Sequence, residues 1–160
     1  MQQSLIDLNE FDRQTNLSII KKAMDIRKNA AAYSKHCEGK VMATLFYEPS
    51  TRTQMSFQTA MYRLGGQVIG FDNPLNSSVS KGESLKDTIK IVSGYADILV
   101  MRNPREGSAL AASLYADCPV INAGDGGHLH PTQTLTDLAT LMFEKGRVDH
   151  LSIGMCGDLN

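Results

Sequence analysis

Apolar positions along the chain follow two spacings, one typical of helices and one typical of strands. Helical spacing predicts a lead-in over residues 8–36 and later helices over residues 51–64, 83–95, 106–115 and 131–145. Short apolar runs predict strands over residues 40–47, 67–71, 97–101 and 119–122, with a fifth strand at residues 151–156. Short strands that alternate with helices form parallel sheets covered on both faces. The pattern therefore predicts an α/β fold, a three-layer doubly wound parallel sheet of about four strands with helices on both faces.

Composition narrows the class of protein. The 160 residues suffice for one compact domain, and the formal net charge of -1 lacks the basic excess typical of nucleic-acid-binding proteins. The N-terminus has no apolar signal segment, and no apolar run is long enough to span a bilayer. The three cysteines (Cys37, Cys118 and Cys156) lie far apart and form no CxxC pair. We therefore expect a cytoplasmic protein that binds neither nucleic acid nor membrane.

The clearest chemical signal lies where the first predicted strand meets the following helix. Ser50, Thr51, Arg52 and Thr53 place three hydroxyls and a guanidinium at this turn. A helix N-terminus presents unpaired N–H groups and the positive end of the helix dipole, which together bind anions such as phosphate. Arginine adds a planar, bidentate donor. The alternative is an ordinary hydroxyl N-cap beside a solvated arginine, since serine and threonine are common caps.

Two further strand exits carry candidate residues, and in a parallel sheet ligands bind beyond the carboxyl ends of the strands. Arg102 follows the third strand, where it is either a ligand-binding group or a surface charge. A glycine-rich turn at residues 122–126 precedes His130, which shares a helical face with Gln133 and Asp137. A lone histidine is also common as a cap or a core residue. We predict no metal site, because no set of ligands with zinc spacing accompanies this histidine.

The motifs at these strand exits are similar to those of the aspartate and ornithine carbamoyltransferase family. They occur in the family's order as FYEPSTRT at 46–53, VMRNPREG at 100–107, NAGDG at 122–126 and HPTQ at 130–133. The resemblance implies that residues 50–53 wrap the phosphate of carbamoyl phosphate. It also implies that Thr53, Arg102 and His130 contact the carbamoyl oxygen, and that Arg102 reaches the phosphate as well. Gln133 is then expected to contact the carbamoyl nitrogen.

The polar loop before the third helix resembles a loop that this family inserts into the site of a neighbouring subunit. By this match Lys81 and one serine complete the phosphate site of the neighbour, which implies a homotrimer. Ser78 is the predicted serine, while Ser77 or Ser80 would follow from a different gap in the match. An ordinary solvated loop is the alternative.

The resemblance implies transfer of the carbamoyl group to the amine of L-aspartate, a step of pyrimidine biosynthesis. The catalytic residues implied are Arg52, Thr53, Arg102 and His130, and the chemistry requires no metal or organic cofactor. Two alternatives remain: transfer to ornithine, and a non-catalytic module that binds carbamoyl phosphate or mediates oligomerisation. Regulatory chains are a further partner that the family resemblance allows.

The resemblance also divides the chain. Residues 1–130 are expected to form the carbamoyl-phosphate-binding domain, residues 131–146 a connector helix, and residues 147–160 the start of an aspartate-binding domain. On this reading the 160 residues bind the donor without efficient transfer. They are also expected to expose an apolar face where a later helix of the family would pack.

Overall fold

The computed structural model describes residues 3–73 and 78–157 and contains four strands and five α-helices within them. The strands are β1 (Val41–Phe46), β2 (Gln67–Phe71), β3 (Ile98–Asn103) and β4 (Val120–Asp125). The α-helices are α1 (Arg13–Lys28), α2 (Thr51–Arg63), α3 (Leu85–Ser93), α4 (Ser108–Tyr115) and α5 (Pro131–Lys145). Short 3-10 turns cover Leu8–Glu10, Ala30–Tyr33 and Ser78–Lys81.

The four strands form one parallel sheet in the order β2-β1-β3-β4. The chain moves from β1 outward to β2 on one side, and from β3 outward to β4 on the other. The strand order therefore reverses between β1 and β3, which lie side by side. In sheets of this kind ligands bind at such a switch point, in the crevice outside the carboxyl ends of the strands.

Side chains that alternate along the central strands build a core on each face of the sheet. Ala43 and Leu45 of β1 point to the face covered by α3 and α4, where Ile89 and Ala112 are fully buried. The neighbouring residues of β1 and β3 point to the opposite face, toward α2, and form a second cluster with Phe46, Val100 and Met61. Because a strand alternates its side chains between two faces, central strands that are buried on both sides read as continuous apolar runs. The predicted three-layer α/β architecture is confirmed.

One predicted element is wrong. Residues 151–156 form no strand in the described chain, and Ile153 and Met155 are 56% and 77% exposed. A strand needs a partner for its backbone hydrogen bonds, and no strand of the described chain pairs with this segment. The free side of β4 is met instead by Leu5, which forms a parallel bridge with Ile121 that the sequence did not indicate.

Membrane spans and domain boundaries are the remaining features of the organisation. Among the described residues no helix is both long enough and apolar enough to cross a bilayer. The three predicted domain segments stay a prediction.

Candidate active site

The first turn of α2 has an uncapped N-terminus. Ser50 occupies the N-cap position, but its side chain makes no capping hydrogen bond and instead donates to the Thr53 hydroxyl at 3.0 Å. The first helical hydrogen bond runs from Gln54 N to Ser50 O. The preceding backbone N–H groups are therefore left to an external acceptor. The alternative of an ordinary hydroxyl cap does not describe this turn.

Arg52 lies in the same turn with an exposed side chain. Its guanidinium forms no ion pair or hydrogen bond with residues 3–73 or 78–157. Thr51 is likewise exposed beside it. A free guanidinium next to unpaired N–H groups at the positive end of a helix is suited to a doubly charged phosphate group.

Arg102 reaches the site from β3 because the adjacent strand contains one extra residue. Met101 pairs with Asn122 and Asn103 pairs with Asp125, so Arg102 alone lies opposite two residues of β4. Bulges of this kind bend a strand and redirect side chains, and they are frequent beside active sites. The Arg102 guanidinium lies across β4 and donates from Nη1 to Ala123 O at 3.4 Å. The strand predicted to end at residue 101 continues to Asn103, so Arg102 is part of the sheet.

Gly124 is the extra residue, and the absence of a side chain there makes room for the guanidinium. A Cβ at this position would lie 2.9 Å from Arg102 Nη1 and 3.1 Å from Cζ. Its φ of +132° is also one that side-chain-bearing residues rarely adopt. Asn122 fixes the turn, because its buried side chain accepts from Gly124 N at 2.9 Å. The glycine-rich turn thus makes room for the side chain of Arg102.

A half-buried ion pair orients the other side of Arg102. Its Nε donates to Glu48 Oε1 at 2.6 Å, and the two side chains are 23% and 28% exposed. Glu48 thus ties the strand exit of β1 to that of β3 across the switch point. Sequence reasoning gave this glutamate no role, although it precedes Ser50 by only two residues.

His130 caps α5 and faces Arg102 with its other ring nitrogen. Its Nδ1 accepts from Gln133 N at 3.3 Å, and its Nε2 lies 3.4 Å from Arg102 Nη1. Burial and then the adjacent Arg102 charge lower the pKa of His130 below its usual 6.5, so the ring is neutral at pH 7. A neutral imidazole that accepts at Nδ1 carries its proton at Nε2. When Nε2 carries that proton, it and Arg102 Nη1 are two donors facing one point, where an oxygen acceptor can bind both; in the opposite tautomer Nε2 would accept from Arg102 instead.

Gln133 has a fixed amide orientation on the same helix. Its Nε2 donates to Asp137 Oδ1 at 3.0 Å, one helical turn further on. The carboxylate can only accept, so the carbonyl oxygen of Gln133 stays available as an acceptor. An acceptor is what a contact to a carbamoyl NH₂ group requires. The shared face of Gln133 and Asp137 was visible from the sequence spacing, but the role of Asp137 was not.

The structure brings some predicted residues together and leaves others apart. Thr53, His130 and Gln133 line one open cavity of about 480 Å³ with Ser56, Phe57 and Thr132. Lys81 is exposed at the end of its 3-10 turn, and no described contact joins it to this cavity. Only the backbone of Ser78 is described, and Ser77 lies outside the described residues. A site assembled within a single chain therefore comprises the residues of α2, β3 and α5.

The fold and these groups define an α/β domain with a candidate anion-binding site at the switch point of its sheet. The family model for aspartate/ornithine carbamoyltransferase, carbamoyl-P binding domain, matches residues 3–142, and the chain belongs to this family.

Individual relatives agree with this assignment. The chain is 60% identical over 156 residues to an aspartate carbamoyltransferase catalytic subunit of Clostridium acetobutylicum, covering 98% of this chain and 51% of that protein. It is 59% identical over 155 residues to one of Clostridium perfringens, covering 97% and 50%. The chain thus spans about half the length of the curated relatives it matches.

Solved structures give the same result. The catalytic subunit of M. jannaschii aspartate transcarbamoylase superposes with a TM-score of 0.84 at 52% identity, over 91% of this chain and 48% of that one. Aspartate transcarbamoylase from Trypanosoma cruzi, solved with carbamoyl phosphate and aspartate, superposes with a TM-score of 0.86 at 40% identity, over 92% and 49%.

Proposed function

We propose that the chain is the carbamoyl-phosphate-binding half of an aspartate carbamoyltransferase catalytic chain. The whole protein would transfer the carbamoyl group to L-aspartate, giving N-carbamoyl-L-aspartate and phosphate for pyrimidine biosynthesis. The observation that carries the proposal is the convergence of Arg102 Nη1 and His130 Nε2, 3.4 Å apart, beside the uncapped N-terminus of α2. This arrangement offers one position for a carbonyl oxygen and an adjacent one for a phosphate.

The chemistry follows from these two positions. The aspartate amine attacks the carbamoyl carbon, and negative charge develops on the carbonyl oxygen between Arg102, His130 and Thr53. The new C–N bond forms, the C–O bond to phosphate breaks, and the amine proton leaves with the phosphate. Ser50, Thr51, Arg52 and the N–H groups of α2 receive the leaving dianion. Loss of one oxyanion donor typically lowers the rate by about a hundredfold or more.

The first experiment tests donor binding by the 160-residue chain. Calorimetric titration with carbamoyl phosphate and with inorganic phosphate is expected to show binding of both. Arg52→Ala should weaken both by about 10- to 150-fold, the value of a hydrogen bond to a charged group. Arg105→Ala is the matched control, since Arg105 is an exposed arginine at the next strand exit. Wild-type protein that binds neither ligand would refute the proposal.

A second experiment separates the candidate functions of the whole protein. Incubation with carbamoyl phosphate and aspartate is expected to yield N-carbamoyl-L-aspartate. Formation of citrulline from ornithine would instead identify the ornithine branch. Donor binding without either product would support a non-catalytic binding or oligomerisation module. The relatives at 59% and 60% identity are named for aspartate, which favours the first outcome.

We further propose that the whole protein is a cytoplasmic homotrimer, in which Ser78 and Lys81 serve the phosphate site of a neighbouring subunit. The exposed Lys81 side chain has no partner among the described residues, which is consistent with a role outside its own chain. Mixing inactive Lys81→Ala and Arg52→Ala subunits of the whole protein should restore part of the activity through hybrid sites. Failure of every mixture to recover activity after subunit exchange would rule out shared sites. Association with regulatory chains would appear as a heavier complex when the protein is purified from its own source.

A further inference from the structure

Each ring nitrogen of His130 faces an N–H donor, but a neutral imidazole can accept at only one of its two nitrogens. At Nε2 the neighbour is Arg102 Nη1, which can only donate. A lone pair at Nε2 would accept this bond, and the two residues would then satisfy each other. A proton at Nε2 instead leaves two donors without an acceptor and prepares them for a substrate oxygen. The tautomer of His130 therefore decides whether the oxyanion site is open or closed.

The first turn of α5 contacts the opposite edge of the His130 ring, at Nδ1. Gln133 N points at Nδ1 from 3.3 Å, but the same N–H also donates to His130 O at 3.0 Å. Such shared bonds are common at helix ends, and each component is weaker than an undivided bond. The backbone N–H alone therefore favours a lone pair at Nδ1 less strongly than the charged Arg102 favours one at Nε2.

Thr132 supplies the second contact at Nδ1. Its hydroxyl oxygen lies 3.4 Å from Nδ1, within the half-buried first turn of the helix. A hydroxyl can donate or accept, but a proton on Nδ1 would point at the Gln133 N–H. When Nδ1 carries no proton the hydroxyl donates to it, and two donors at Nδ1 then oppose the single donor at Nε2.

We propose that Thr132 is a positioning residue that holds His130 in the Nε2–H tautomer and so keeps the oxyanion site open. The proposal rests on the proposed function, because it assigns the opened site to the carbonyl oxygen of the carbamoyl donor. Thr132 itself needs no contact with the substrate.

The test compares Thr132→Val with Thr132→Ser and with Thr136→Val. Valine keeps the branched shape and removes the hydroxyl, whereas serine retains the hydroxyl. Thr136 is the matched control, since it lines the same cavity and its hydroxyl donates only to the backbone oxygen of Thr132. Two readouts are recorded: ¹⁵N shifts of the His130 ring, and affinities for phosphonoacetamide and inorganic phosphate. Phosphonoacetamide is a stable analogue that carries both a carbonyl oxygen and a phosphonate.

Wild-type protein and Thr132→Ser are expected to show a pyrrole-type nitrogen at Nε2 and a pyridine-type nitrogen at Nδ1. Thr132→Val should shift both nitrogens toward the other tautomer. It should also lower the affinity for phosphonoacetamide by about three- to tenfold, the effect of one neutral hydrogen bond. Affinity for inorganic phosphate should not change, because phosphate has no carbamoyl oxygen. Thr136→Val should match the wild type in every readout.

The possible failures are distinguishable. Wild-type protein that binds neither ligand refutes the proposed function itself. Wild-type protein that binds both ligands but carries its proton at Nδ1 overturns only the assignment of the tautomer. Unchanged ring shifts and unchanged affinities in Thr132→Val would overturn the role of Thr132, and so would equal losses of affinity for both ligands.

Discussion

Substitution of Gly124 by alanine tests how the sheet positions Arg102. The new Cβ would lie 2.9 Å from Arg102 Nη1 and 3.1 Å from Cζ, both closer than an ordinary van der Waals contact. The guanidinium would have to leave β4, and its hydrogen bond to Ala123 O would be lost. Its approach to His130 Nε2 at 3.4 Å would be lost with it. The change therefore displaces the Arg102 guanidinium without altering any side chain of the candidate site.

Gly124→Ala is expected to lower both the free energy of unfolding and the affinity for ligand. Backbone strain at a φ of +132° should lower the free energy of unfolding by about 1–3 kcal/mol. The displaced guanidinium should lower the affinity for phosphonoacetamide by about 10- to 150-fold, as expected for a charged hydrogen bond. Gly146→Ala is the control for strain alone, because Gly146 has a φ of +70° and nothing lies within 4 Å of the position that its new Cβ would occupy.

The assays are urea unfolding followed by circular dichroism and calorimetric titration with phosphonoacetamide. Gly146→Ala should lose stability by about 1–2 kcal/mol and bind the ligand as the wild type does. Gly124→Ala should lose both stability and affinity. A folded Gly124→Ala variant that binds phosphonoacetamide as tightly as the wild type would refute this reasoning. The placement of Arg102 across β4 would then not be needed for binding.

Three further predictions concern the sheet, the histidine and the ion pair. Gly70→Ala should destabilise the protein by more than about 3 kcal/mol in urea unfolding, because its Cβ would lie 2.0 Å from Thr44 O on the neighbouring strand. Gly107→Ala is the control, since nothing lies within 4 Å of its new Cβ. A loss of stability in Gly70→Ala no larger than in this control would contradict the close approach of the two strands. The pKa of His130 is lowered in the folded state, so its contribution to stability is complete above about pH 6.5 and is lost as the pH falls through the folded pKa. Unfolding at pH 7.5 and pH 5.5 should therefore show a smaller pH effect in His130→Asn, which keeps an N-cap acceptor, and equal pH effects would contradict the depressed pKa. Glu48→Gln should raise the affinity for inorganic phosphate by up to about fivefold, since it removes a carboxylate that competes with phosphate for Arg102 at 2.6 Å. Weaker phosphate binding in calorimetry would show instead that the ion pair is needed to hold the arginine in place.

The elements that sequence could predict are those determined by local pattern. Helix α5 was predicted at its observed bounds because proline at its first position and glycine after its last are strong local signals. Strands β1 and β3 were recognisable because both faces of each are buried. The failed strand at residues 151–156 shows the limit, since an apolar run becomes a strand only when a partner strand is present.

The candidate site likewise contains features that a local pattern can predict and features that depend on the pairing of distant segments. The hydroxyls and guanidinium of the α2 turn are adjacent in sequence, so their convergence could be predicted. The contact between Glu48 and Arg102 joins the segment after β1 to β3, and nothing local to either residue indicates it. The extra residue at Gly124 depends on the register between β3 and β4, which no single segment contains. The resemblance to a family suggested the proposed roles of Arg102 and His130, and the register explains how the chain brings the two residues together.

A crystal structure of the chain with phosphonoacetamide tests the central claim most directly. The account predicts that the carbonyl oxygen lies within hydrogen-bond distance of both Arg102 Nη1 and His130 Nε2, and that the phosphonate lies against the first turn of α2. A ligand bound elsewhere, such as in the apolar groove between α1 and α2 lined by Ile26 and Leu64, would contradict it.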